Sequence, residues 1–121
     1  MIESDAVVVD TSVIINHLNG QYRLEELGTD AICYSIISYI EIFAYPHLTK
    51  SMAKKIERLL QAMIRVDLDV ELAKIAVSLR KNYRLKVPDA IIAATAEYLG
   101  LPLISFDLHF EKFPRAVILT R

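Results

Sequence analysis

Residues 7–15 read Val7-Val8-Val9-Asp10-Thr11-Ser12-Val13-Ile14-Ile15, so three β-branched residues run into a carboxylate and two hydroxyls before the apolar run resumes. A short apolar β-branched run of this kind suits a buried strand in a parallel sheet. Asp, Thr and Ser favour helix starts, because a side-chain oxygen accepts from the free N–H groups of the first turn. The stretch predicts a strand passing directly into a helix, the opening unit of an α/β fold. Capping alone would account for Asp10, and that explanation weakens only if other acids gather beside it.

The same alternation continues along the chain. Further strands are predicted near 31–34, 64–68, 102–105 and 116–119, with the first at 5–9. Asp69 opens an amphipathic helix in which Leu72, Ile75, Ala76 and Leu79 share one face. Pro88 to Gly100 has proline at its first turn, glycine at its stop and almost no polar face, which predicts a central, buried helix. Five strands with helices between them imply an α/β fold: a mostly parallel five-stranded sheet flanked by helices on both faces. With 121 residues and no repeat or Pro/Gly/Ser-rich linker, residues 1–121 are expected to form a single domain.

Composition excludes several classes. The chain is 54% apolar, yet Asp10, Glu41 and Asp89 interrupt every run that approaches a membrane span. The surplus apolar surface suits a dimer or partner interface instead. Acids at the N-terminus, Met-Ile-Glu-Ser-Asp, stand where an export signal carries Lys or Arg, so a cytoplasmic location is expected. The lone Cys33, within Ala-Ile-Cys-Tyr, is expected to be a core residue. A net charge of −1 argues against a passive nucleic-acid coat but permits an enzyme acting on a polyanion. Basic runs at 49–65 and 80–86 are read as solvated helix faces with some prospect of substrate contact.

Ligands in an open α/β sheet sit beyond the carboxyl ends of the strands. Four acids are predicted there: Asp10 after the first strand, Glu41 in the helix after the second, Asp89 opening the buried helix, and Asp107 after the fourth strand. Each has a structural explanation. Asp10 and Asp107 suit N-caps, Glu41 closes a capping-box pattern with Ser38, and Asp89 in a first turn favours its helix dipole. Converging together, like charges repel strongly in a low-dielectric cleft unless a cation neutralises them. All-oxygen ligation suits Mg²⁺ or Mn²⁺, and no Cys or paired His motif offers a zinc site. His17 and His47 are expected to be packing or surface residues, and His109 has a small prospect of touching substrate.

Four blocks carry a resemblance that runs nearly the length of the chain: Val-Val-Asp-Thr-Ser-Val-Ile-Ile at 8–15, Ser35-Ile-Ile-Ser-Tyr-Ile-Glu41, Pro88-Asp89-Ala-Ile-Ile-Ala-Ala-Thr-Ala, and Leu103-Ile-Ser-Phe-Asp107-Leu-His-Phe110. In that order they resemble a PIN domain, and most closely the VapC-like toxin ribonucleases of bacterial and archaeal toxin–antitoxin pairs. The resemblance implies metal-dependent cleavage of RNA, a homodimer, and an antitoxin that blocks the site. It implies that Asp10, Glu41, Asp89 and Asp107 ligate Mg²⁺ or Mn²⁺, with Ser12 and Ser105 in support. Ser105 stands where the family more often has Thr, which keeps the hydroxyl.

Two other enzyme classes fail on named residues. A receiver-type phosphoacceptor needs a Lys where this chain reads Ser-Phe-Asp-Leu-His, and a haloacid-dehalogenase-type phosphatase needs an Asp at position 12, which is Ser. The remaining alternatives are a non-catalytic PIN-like module binding RNA or protein, and a housekeeping ribonuclease without antitoxin. Single-strand recognition by stacking needs exposed aromatics, for which the six tyrosines, mostly expected in the core, supply the candidates.

Overall fold

Val7 and Val9 are buried in one hydrophobic core and Val8 in another, as strand alternation requires when both faces of a sheet are covered. The computed structural model describes residues 4–120; Met1 to Glu3, part of the acidic N-terminus discussed above, and Arg121 lie outside the described residues. Strands β1 (Ala6–Val9), β2 (Ala31–Ser35), β3 (Ile64–Val66), β4 (Leu103–Ser105) and β5 (Ala116–Ile118) form one sheet in the order β3-β2-β1-β4-β5. Every pairing is parallel, with Val8 beside Cys33 and Val9 beside Ile104. The expected five-stranded α/β sheet is therefore present, and all of it is parallel.

Helices α1 (Thr11–Leu18), α2 (Ile36–Phe43) and α3 (Lys50–Gln61) follow the first two strands, and α4 (Val70–Tyr83) and α5 (Val87–Leu99) join β3 to β4. One core joins Val8, Cys33 and Leu103 to Leu72, Ala76 and Leu79 of α4, the alanines of α5, and Phe110 and Phe113. The other joins Val7, Val9, Tyr34 and Ile104 to Val13 and Ile14 of α1, Ile42 of α2, and Ile56 and Leu60 of α3. Asp69 caps α4 through Leu72 N–H, as expected. Helix α5 begins one residue before Pro88 and stops at Gly100, whose φ of 68° is the left-handed conformation that closes a helix. Its buried Ala90, Ala93, Ala94 and Ala96 let its backbone lie close to the sheet. Among the described residues, no helix is long and apolar enough to cross a membrane.

Candidate active site

From β1 the chain winds through β2 to β3 at one edge, then returns through α4 and α5 to β4 on the other side of β1. That reversal leaves a crevice beyond the carboxyl ends of β1 and β4, the usual ligand position in such a sheet. Asp10 is the first residue past β1, and its N–H donates to Ile104 O at 3.1 Å. Ser105 ends β4, and Asp107 lies two residues further. Glu41 comes from α2, which follows the neighbouring strand β2, and Asp89 from the first turn of α5.

Asp10 is 3% exposed. It does cap α1, accepting Val13 N–H at 3.2 Å, so the capping explanation is true as far as it goes. Its carboxylate accepts two further bonds that capping does not need. Ser12 Oγ donates to Oδ1 at 2.6 Å, and Ser105 Oγ makes a short bond to Oδ2. Each serine is itself held by a backbone donor: Phe106 N–H to Ser12 Oγ at 3.1 Å, and Asp107 N–H to Ser105 Oγ at 2.8 Å. Burial pushes the Asp10 carboxyl up; the bonds from Ser105, Ser12 and Val13 oppose this, and the charge of Asp107 adds to it. Among the described residues no cation is paired with it.

Glu41 departs from its expected capping role. Ser35, not Ser38, caps α2, accepting Ile37 N–H at 3.1 Å, while Ser38 is buried inside the helix. Thr11 Oγ1 instead donates to Glu41 Oε1 at 2.6 Å and shares a 2.8 Å bond with Ser38 Oγ. Thr11 and Ser38 are thus polar members of the site that sequence reasoning passed over. One signal was available, since Ser38 is a lone small polar residue in the apolar run Ile36-Ile-Ser-Tyr-Ile.

Asp89 is half-buried, and no basic side chain pairs with it among the described residues. Burial raises its pKa most, the charges of Asp107 and Glu41 raise it further, and His109 and Lys86 pull the other way. Asp107 caps a 3₁₀ turn over Leu108–Phe110, accepting His109 N–H at 2.9 Å, and its Oδ1 lies 3.0 Å from His109 Nδ1. Electrostatically the four acids form one group, since Asp107 acts on Asp10 and Asp89, and Glu41 acts on Asp89. Among the described residues no three such side chains stand close enough to clasp one ion. The donors are nevertheless all oxygen, and a buried carboxylate held only by hydroxyls and an amide suits a hard divalent cation.

The remaining candidates are structural. Cys33 is buried, and burial pushes its thiol up. His17 Nδ1 accepts Leu24 N–H at 3.1 Å, and His47 lies edge-on to Tyr45. Tyr34 is buried as expected, but Tyr39, Tyr45 and Tyr98 are exposed. Beside Glu41 an apolar groove of about 270 Å³ opens between α1, α2 and α3, lined by Ile15, Leu18, Ile42, Tyr45, Met52 and Ile56.

A fully parallel sheet with acids gathered at its reversal is shared by several enzyme classes, and comparison of sequences makes the class definite: the chain belongs to the PIN domain family, whose model matches residues 7–116. Its structure is similar to a chain in a toxin–antitoxin complex from Klebsiella pneumoniae, with 26% identity, 92% of this chain and 95% of that one covered, and a TM-score of 0.78. DNA-bound VapBC from Salmonella typhimurium has a chain 20% identical, with 96% and 98% covered and a TM-score of 0.78. VapBC2 from Rickettsia felis, bound to a promoter fragment, has one 17% identical, with 94% and 97% covered and a TM-score of 0.77. No curated protein matches the sequence.

Proposed function

We propose that this chain is a metal-dependent endoribonuclease and the toxin of a toxin–antitoxin pair, with Asp10, Glu41, Asp89 and Asp107 holding Mg²⁺ or Mn²⁺. The observation that carries this reading is the buried Asp10 carboxylate, both oxygens fixed by Ser12, Ser105 and Val13 N–H, with acids from three other segments grouped around it and, among the described residues, no cation paired to Asp10 or Asp89. A module that only bound RNA would gain nothing from a negative crevice facing phosphates. The 26% identity to a chain of the Klebsiella toxin–antitoxin complex supports the toxin assignment.

Each residue has a distinct task in this mechanism. When bound, the divalent cation lowers the pKa of water and stabilises the leaving oxygen of the phosphodiester. Ser12, Ser105 and Val13 N–H fix the Asp10 carboxylate in one orientation. Thr11, backed by Ser38, aims Glu41 from the facing helix. Asp89 and Asp107 bring the remaining oxygen donors from the other side of β1, and their charge is what the cation neutralises. Such orienting partners typically matter 10- to 100-fold in metal affinity or activity.

The apolar groove beside Glu41 supports an antitoxin partner, because a peptide seated there would lie against the site. Exposed Leu68, Val70, Val77 and Val87 around α4 support a homodimer. Purified protein should cleave single-stranded or structured RNA with Mg²⁺ or Mn²⁺, lose that activity in EDTA, and arrest growth when expressed alone. Undiminished cleavage in EDTA would defeat the metal assignment, and healthy growth at high soluble expression would favour the binding-module reading.

A further inference from the structure

Asp89 borders a second cavity, of about 370 Å³, between the α4–α5 turn and the 3₁₀ turn after β4. Here the wall changes character. Arg84, Lys86 and Lys112 line it against only Asp89 and Glu111. Among the described residues none of these three cations takes part in an ion pair, although the chain carries 15 acids. Arg84 sits at the left-handed C-cap of α4, where glycine is the ordinary occupant. The same cavity presents an apolar wall in Leu108, which is 65% exposed, and an exposed imidazole in His109.

Cations for a phosphate beside a flat or apolar surface for a base are what a single-stranded nucleotide requires. We infer that this cavity binds the RNA nucleotide next to the scissile bond, its phosphate at Lys86, Lys112 and Arg84 and its base against Leu108 and His109; this rests on the ribonuclease reading above. Asp89 belongs to both the acid cluster and the cavity wall, so a strand held at the cluster continues directly into it. The basic cleft on α3 formed by Lys50, Lys54, Lys55 and Arg58 lacks both the apolar wall and any member of the acid cluster.

The test uses full-length protein, Mg²⁺ and a short fluorescein-labelled single-stranded RNA. Lys112→Gln, and Lys86→Gln combined with Lys112→Gln, are compared with Lys54→Gln combined with Lys55→Gln. Melting temperature verifies that each variant folds. Each removed cation should lower the slope of log affinity against log salt by about 0.7. The Lys86/Lys112 pair should raise KM roughly tenfold while kcat is nearly unchanged, and the α3 pair should move neither. Lys112→Gln alone guards against an indirect effect, since Lys86 stands three residues before Asp89 on the same wall whereas Lys112 comes from the segment after the 3₁₀ turn. If wild type cleaves RNA but the Lys86 and Lys112 variants keep its KM and salt slope, the subsite is wrong and the nuclease reading stands. If wild type neither binds nor cleaves RNA, both fall.

Discussion

Asp10 makes more hydrogen bonds than a helix cap requires. As a cap it needs one acceptor oxygen, yet both oxygens are engaged and the hydroxyls engaging them are anchored by backbone N–H groups. Burial raises its pKa in the fold, so the folded protein retains a proton that the unfolded chain releases above about pH 3.9. Stability from this group is full below that value and is lost as pH rises through the folded value. Asp10→Asn cannot titrate, so its stability relative to wild type should improve as pH rises above about 4 and then level off, read by urea denaturation in metal-free buffer. Thr11→Val keeps the shape but removes both the donor to Glu41 and the partner of the buried Ser38 hydroxyl, and should cut cleavage 10- to 100-fold, measured by kcat/KM, at a cost of about 1–3 kcal/mol in stability, measured by chemical denaturation. Asp10 stood out as an acid at a strand end, whereas Ser12 and Ser105 were singled out only through the family resemblance, and their bonds to Asp10 depend on the fold. The bond from Thr11 to Glu41 was not legible, because it spans 30 residues and depends on how α1 meets α2.

At the scale of elements, α5 was the most readable, because proline, glycine and an unbroken apolar run leave few alternatives. Packing this tight has a cost when changed: Ala93, fully buried, should lose about 1–3 kcal/mol on replacement by Leu, measured by chemical denaturation. Helix α2 was harder, since Ser35 and Ser38 both suit an N-cap and only the end of β2 decides between them. The α4–α5 turn was not legible at all. Nothing local marks Arg84 as left-handed (φ 54°), a conformation that disfavours L side chains. Arg84→Gly should therefore hold or raise stability by up to about 1 kcal/mol while weakening RNA binding, read by melting and anisotropy on the same preparation.

For the whole molecule, the decisive feature is the reversal of strand order around β1. Alternation of strands and helices announces a parallel sheet, but nothing in it says that β4 pairs with β1, and this pairing brings Ser105 onto Asp10 across 95 positions. The cluster therefore exists only in the completed fold, and its charge is a cost that a cation would remove. Linkage makes that measurable: a divalent ion at ~100 times its dissociation constant stabilises the protein it binds by about 2.7 kcal/mol. The measurement that bears most directly on the central claim is a pair of melting curves, with and without Mn²⁺, for wild type and Asp10→Asn, beside an RNA cleavage assay on the same samples. Wild type should be stabilised by Mn²⁺ and cut RNA, while Asp10→Asn, still folded, should lose most of the shift and nearly all cleavage. An Asp10→Asn protein with the wild-type Mn²⁺ shift and cleavage rate would mean that Asp10 is a helix cap and nothing more.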